Sequence, residues 1–289
     1  MNPQACQFIG CDKSYREADT VLFGAPYDST TSFRPGTRFG PSAMRMESFG
    51  IETYSPMQDK DLVDDTKVFD SGDLELPFGA PEPALKMIEK RSAQILEDGK
   101  RPFLLGGEHL VTLGAFRAVQ KKFPDVVIIH FDAHADLRED YLGNPLSHAC
   151  VLRRIHDLVG DGRIFQFGIR SGTREEFAFM KSGHVKTEPF TSATLAKVVK
   201  SIPKKTPLYL TIDMDVLDPS EFPGTGTQEA GGFRYPQLVE DVRLICSRLN
   251  VVALDNVELN PGLDSTGRST ALACKFLREC LLSLTNKGE

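Results

Sequence analysis

The 289-residue chain has no tryptophan, and no apolar run in it is long enough to span a bilayer. Its six cysteines (Cys6, Cys11, Cys150, Cys246, Cys274 and Cys280) are scattered without any short paired spacing. That rules out reading them as a disulfide framework, and they are expected to be reduced thiols, mostly small packing residues, in a cytosolic chain. Positive charge is also in short supply. With 34 Lys and Arg against 40 Asp and Glu, the net charge is −6 and the pI near 5.6, so neither a nucleic acid nor an anionic membrane is expected as a partner. The first twenty residues, MNPQACQFIGCDKSYREADT, carry charges where a signal peptide needs an apolar core. The expectation is a soluble, cytoplasmic protein. What is present is ordinary for a globular chain: 40% hydrophobic, 26% charged and 9% aromatic residues. Residues 1–289 show no linker, repeat or low-complexity tract, and one domain is the simplest reading.

Two periods alternate along the chain. Short β-rich apolar runs lie at 21–23, 67–69, 102–105, 126–131, 163–167, 208–212 and 251–254, with a weaker one at 184–186. Several are continuous, as strands covered on both faces should be. Helical patterns lie between them at 84–97, 110–122, 147–159, 175–181, 192–201, 235–249 and 269–283. Strand and helix repeated in this way predict an α/β fold, a three-layer αβα sandwich with a central, mostly parallel sheet of about eight strands.

Such a sheet places its chemistry beyond the carboxyl ends of its strands. There the runs lead into Gly106-Gly107-Glu108-His109, Asp132-Ala133-His134-Ala135-Asp136, Asp213-Met214-Asp215 and Asp255-Asn256-Val257-Glu258. In extended chain Asp132, His134 and Asp136 share one side, and so do Asp213 and Asp215. Four carboxylates crowded at the end of an apolar sheet do not all stay ionised without compensating charge. Two divalent cations supply it, and His109 and His134 add neutral nitrogen donors. Oxygen and nitrogen ligands without thiolate disfavour structural zinc and suit manganese, although affinity alone does not select that metal. The blander readings hold elsewhere: Asp218-Pro219 is a turn, His156 and His184 are surface or hydrogen-bonded histidines, and His130 is a supporting or packing residue.

Six segments resemble the ureohydrolase family of arginases and agmatinases: SFRPGTRFGPSAMR (32–45), GGEHL (106–110), FDAHADLR (131–138), NPLSHA (144–149), TIDMDVLDPSEFPGTGTQEAGG (211–232) and NVELNP (256–261). They occur in the family's order over most of the chain. The resemblance implies an arginase/deacetylase-like fold with two Mn2+ per subunit. His109, Asp132, Asp136 and Asp213 would hold one, and Asp132, His134, Asp213 and Asp215 the other, with Asp132 and Asp213 bridging. It further implies a hydroxide nucleophile between the metals, Glu258 pairing with the guanidinium, His148 shuttling protons, and a homo-oligomer, trimer or hexamer. Asp136 is a plausible route for the proton to the leaving amine. A guanidinium carbon is a poor electrophile, so the acidified water that two metals provide fits the task. Two of these segments depart from the family pattern. Glu108 stands before His109, with Leu110 after it, where the commoner form has Asp and Ser, and Gln228 stands where Pro is usual.

The loop LREDYLGNPLSH (137–148) resembles that of agmatinases, and Glu139, Asp140 and Asn144 are taken as substrate-binding. An acidic rim favours a substrate with a cationic far end, which points to agmatine as the substrate and to putrescine and urea as products. Arg138 argues the other way if it faces inward, towards 4-guanidinobutyrate or formiminoglutamate. The alternatives are thus a guanidinobutyrase, arginase or formiminoglutamase, and beyond these a catalytically inactive metal-binding homologue.

Overall fold

A computed structural model describes residues 7–285. In chain order its strands are β1 (Thr20–Ala25), β2 (Tyr54–Ser55), β3 (Lys60–Asp61), β4 (Val68–Asp73), β5 (Arg101–Gly106), β6 (Val127–Phe131), β7 (Ile164–Ile169), β8 (Lys186–Pro189), β9 (Pro207–Asp213) and β10 (Asn250–Val257). Eight of them form one sheet in the order β4-β1-β5-β10-β9-β6-β7-β8, and β2 and β3 pair separately. Every neighbour in the large sheet is parallel. Its central strands are buried along their whole length, VIIHF in β6 and PLYLTID in β9, which is why their sequences run apolar without alternation.

The helices are α1 (Gly40–Glu47), α2 (Leu62–Asp65), α3 (Pro81–Glu97), α4 (Val111–Lys122), α5 (Val151–Val159), α6 (Arg174–Lys181), α7 (Leu195–Ser201), α8 (Tyr235–Arg248) and α9 (Arg268–Ser283). They divide between the two faces. One apolar cluster joins Met44 of α1, Leu62 of α2 and the buried stripes of α7, α8 and α9 to Phe103, Ile129, Leu208 and Leu210. The other joins α3, α4, α5 and Met180 of α6 to Phe23, Leu104, Ile128 and Tyr209. Alternate residues of the same strands feed the two clusters, so the fold is the three-layer sandwich expected.

Local chemistry sets the helix ends. Pro81 opens α3, and Gly99, at φ 73°, follows its end. Thr173 and Glu176 form a reciprocal capping box on α6. Each expected strand is found with its ends displaced by a few residues, the weak run at 184–186 becoming β8 at Lys186–Pro189. The expected helix at 147–159 is a 3-10 turn, His148–Cys150, followed by α5. The expectations lacked α1, α2 and the β2–β3 hairpin; the four residues of α2 and two of each short strand cannot display a period, and the eight of α1 open on Gly40-Pro41, which reads as a loop. Cys6 lies outside the described residues, and the other five cysteines are free and buried. Among the described residues no helix is long and apolar enough to cross a membrane.

Candidate active site

The four strands that carry the unusual residues, β5, β10, β9 and β6, are neighbours in the middle of the sheet. Their carboxyl ends therefore open at one place, although the residues they carry are up to about 150 positions apart. Strand alternation does not bring the carboxylates together. β6 ends at Phe131, and the chain beyond it leaves the sheet, with Asp136 in the left-handed region at φ 52°. Asp215 likewise sits in a 3-10 turn, Met214–Val216, where its amide donates to Asp213 Oδ1 at 2.8 Å. The amides of Ala133 and His134 donate to Asp215 Oδ1 (3.1 Å) and Asp132 Oδ1 (2.5 Å), so the turns hold the carboxylates in place.

His109 Nδ1 lies 3.1 Å from Asp132 Oδ2, 3.1 Å from Asp136 Oδ2 and 3.4 Å from Asp213 Oδ2. His134 Nδ1 lies 2.9 Å from Asp215 Oδ2 and 3.5 Å from Asp132 Oδ1. All six residues expected as metal ligands thus converge, five of them buried and His134 partly so. His109 Nδ1 makes no hydrogen bond, although three carboxylates surround it. Its other nitrogen explains the arrangement. Thr211 Oγ1 gives its single proton to Asp255 Oδ1 at 2.6 Å, so at 3.0 Å it accepts from His109 Nε2. That commits the Nε2 proton to Thr211 and leaves Nδ1 as the nitrogen able to give its lone pair to a metal.

The electrostatics agree with a missing positive charge. Burial pushes Asp213 well above the carboxylate range, with Asp215 and Asp132 adding repulsion, and burial with repulsion from Asp132 pushes Asp136 up to about 7. Burial also raises Asp132, but the neighbouring histidines outweigh it and hold that carboxylate well below its usual range. Burial opposes charge on His109, yet its contacts with Asp132, Asp136 and Asp213 raise its pKa well above that of free histidine. In the chain without metal, protons sit where cations would neutralise the cluster.

His130 has a defined task that its place inside a strand concealed. Gln166 Nε2 donates to His130 Nδ1 at 3.1 Å and to the Ala135 carbonyl at 2.8 Å. His130 therefore keeps its proton on Nε2 and donates it to Asp132 Oδ2 at 2.8 Å. Thr187 Oγ1 completes the ladder by donating to Gln166 Oε1 at 3.0 Å.

A cavity of 490 Å³ opens over the cluster; Glu258 and His148 line it with Asp136, Asp213, Asp215 and His134. Glu258 is buried at φ 67°, its Oε1 accepting from the His109 amide at 2.8 Å, and burial raises its pKa well above the usual value. Its one ion-pair neighbour among the described residues is His148, whose Nδ1 is 3.8 Å away. His148 Nε2 lies 3.2 Å from the Ser32 amide, which donates to it, so the ring proton is on Nδ1, facing Glu258. Burial lowers the His148 pKa to about 4, so the ring is neutral at neutral pH.

The other expected substrate contacts do not line this cavity. Glu139 is exposed and pairs with Arg153 at 2.6 Å and Arg154 at 3.8 Å. Asp140 Oδ1 accepts from the Gly143 amide, and Asn144 Oδ1 from the Leu146 amide, so both serve loop turns. The acid at the mouth is Glu229, whose Oε1 is 3.9 Å from His134 Nε2. It lay within the 211–232 segment but no strand pattern singled it out. Arg138 and Tyr141 do line the cavity, the guanidinium stacked 5.1 Å from the ring centroid and 3.5 Å from Glu176. Glu108 turns away from the cluster to bind the Thr30 amide (2.8 Å), Thr30 Oγ1 (2.5 Å) and Thr31 Oγ1 (3.1 Å), tying down the loop that holds Ser32. Gln228 donates to the Pro223 carbonyl, which closes its turn by a hydrogen bond where a proline would stiffen it.

The family model described as Arginase family matches residues 18–283. An agmatinase of Bacillus anthracis is 46% identical over 276 residues, covering 95% of each chain, and one of Bacillus subtilis is 46% identical over 278 residues with the same coverage. The crystal structure of a putative agmatinase from Clostridium difficile superposes with a TM-score of 0.91 at 49% identity, over 95% of this chain and 99% of that one. With the sheet, the converging donors and these matches together, the protein belongs to the arginase family, is most similar to its agmatinases, and is a hydrolase of amidino C–N bonds.

Proposed function

We propose that the protein hydrolyses agmatine to putrescine and urea with two manganese ions, held by His109, Asp132, Asp136 and Asp213 and by Asp132, His134, Asp213 and Asp215. The observation that carries this reading is the unpartnered His109 Nδ1, buried among three carboxylate oxygens at 3.1–3.4 Å and set by Thr211 as a lone-pair donor. A set of oxygens and imidazoles without thiolate fits manganese. The metals, when bound, supply what no side chain here supplies, water acidified to a nucleophile at neutral pH.

The chain's own residues do the rest. Glu258 is a buried carboxylate paired with no Arg or Lys among the described residues, and it suits a guanidinium, which would bind it by a charge-assisted, two-pronged hydrogen bond. Because its Oε1 is held by the His109 amide, the substrate carbon is held against the cluster in a fixed pose. His148 presents its Nδ1–H to Glu258 and the cavity while Ser32 fixes the ring, so it acts as a neutral imidazole within reach of the reacting groups. Asp136 lines the cavity beside the cluster, placed to pass a proton to the leaving amine.

Agmatine is favoured by the 46% identity to agmatinases and by the Glu229 carboxylate at the mouth, which suits a cationic far end. Arg138 is engaged by Glu176 and Tyr141, which weakens the case for a carboxylate-ended substrate. The test is urea release by manganese-loaded protein with agmatine, arginine and 4-guanidinobutyrate side by side. Preference for agmatine is expected; preference for 4-guanidinobutyrate would overturn the substrate and leave the family chemistry standing.

A further inference from the structure

Outside the cavity lining, a second group of metal-capable side chains meets at the surface. His156 is in the last turn of α5, Asp161 lies in the loop leading to β7, and His184 precedes β8. His156 Nε2 and His184 Nδ1 each lie 2.8 Å from the same oxygen, Asp161 Oδ1, and the three donor atoms fall within 4.8 Å of one another. One carboxylate oxygen facing two imidazole nitrogens is more than a charge pair needs. In a tetrahedral zinc site, arms of about 2.0–2.2 Å set ligand atoms roughly 3.3 Å apart, half an ångström wider than the spacing here.

The rings are already held for this. Phe179 stacks on His184 at 4.4 Å between centroids and 23° between planes, and meets His156 edge-on at 4.9 Å. Arg153 packs against the Phe179 ring at 4.5 Å. The backbone is fixed too, the Gly160 amide donating to the His156 carbonyl and the Gly162 amide to the His184 carbonyl. Asp161, between glycines at φ 75° and 76°, is the exposed and adjustable member, with 65% of its side chain accessible. An incoming ion would thus find two oriented nitrogens, one carboxylate and an open side for water.

We propose that His156, Asp161 and His184 form a divalent metal site, separate from the cavity, that takes zinc or a similar imidazole-binding ion. Two nitrogens and one oxygen suit zinc, nickel or copper, and manganese stands at the weak end of that series. The bound ion clips the end of α5 to the segment entering β8, two elements that otherwise meet there through aromatic contacts and one backbone hydrogen bond, from the Gly162 amide to the His184 carbonyl.

The experiment starts from manganese-loaded protein dialysed against buffered free zinc, with zinc and manganese counted per chain for wild type, His184→Ala and Asp161→Asn. Wild type is expected to hold one zinc more than either variant at equal manganese, and zinc is expected to raise its Tm but not theirs. Zinc entering the cavity would raise the count equally in all three proteins and leave the difference intact. Urea release at the wild-type level shows that the variants are folded, and the milder Asp161→Asn decides if His184→Ala is not. Equal zinc in all three proteins overturns the proposal and leaves a hydrogen-bonded triad.

Discussion

At the scale of single residues, the site is defined as much by what holds its donors as by the donors. Thr211 and Asp255 set the tautomer of His109, and Gln166 sets that of His130, which in turn orients Asp132. Such outer partners are typically worth about 10- to 100-fold in metal affinity. Gln166→Leu removes the donor to His130 Nδ1 and to the Ala135 carbonyl while keeping a buried side chain of similar bulk. It is expected to weaken manganese binding by about that factor, with urea release restored at high manganese. Calorimetric titration with manganese measures it, and an unchanged affinity would remove His130 from any part in orienting Asp132. Asp136 and Glu258 show a second residue-scale feature, left-handed backbone at φ 52° and 67° in residues that have a Cβ. The amides of Leu152 and Arg153 hold the Asp136 carbonyl and the Gly107 carbonyl holds the Glu258 amide, so the surroundings determine these conformations.

Among the elements, α9 is informative because its formal cap, Gly267, has no side chain to offer. Asp264 replaces it, accepting from the Ser269 amide at 2.9 Å and Ser269 Oγ at 2.6 Å, while Ser269 Oγ accepts from the Gly224 amide. The start of α9 is thereby joined to the loop after β9. Burial opposes ionisation of Asp264, but these bonds and those from Thr266 outweigh it and lower its pKa to about 2. A depressed carboxylate pKa gives stability that is present above about pH 4 and lost as pH falls towards 2. Asp264→Ala should therefore cost about 1–2 kcal/mol at neutral pH, as cap removals do, and progressively less in acid. Thermal unfolding across that pH range checks both halves of the statement; a deficit independent of pH would mean that the carboxylate charge is not what stabilises the cap.

For the whole molecule, the balance between the acidic cluster and its missing cations dominates. In metal-free protein Asp213, Glu258 and Asp136 have raised pKa values, Asp136 to about 7, and His109 and His134 are raised as well. A raised pKa, for either type of group, contributes stability that fades as pH rises towards the folded value. Asp132 and His148, both lowered, have the opposite sign, but they titrate below about pH 6.5 and are flat above it. Chelator-treated protein is thus expected to lose Tm between about pH 6.5 and 8, by several degrees. Manganese should remove that slope and raise Tm throughout, because bound cations replace the protons. Differential scanning calorimetry with and without chelator measures this, and parallel curves would show that the cluster does not depend on cations for its charge balance.

Much of this protein is local and therefore legible in the chain. The continuous apolar runs of β6 and β9 announce two-sided burial, Gly99 marks the end of α3, and polar residues closing four apolar runs announce a site. His109, Asp132, His134, Asp136, Asp213, Asp215, Glu258 and His148 all stood out because each breaks a pattern or sits in a dense motif. What the tertiary structure decided is direction. The 137–148 loop has no period, so nothing local shows that Glu139 turns to Arg153 and Arg154, that Asp140 and Asn144 close turns, or that Arg138 faces inward. His130, Gln166, Thr211 and Asp255 lie on strands adjoining in the sheet but up to about 125 residues apart, and only the order β10-β9-β6-β7 makes them one hydrogen-bonded frame. The physical reason is range: propensity and period act over a few residues, while side-chain partners across a parallel sheet are chosen by strand order and register.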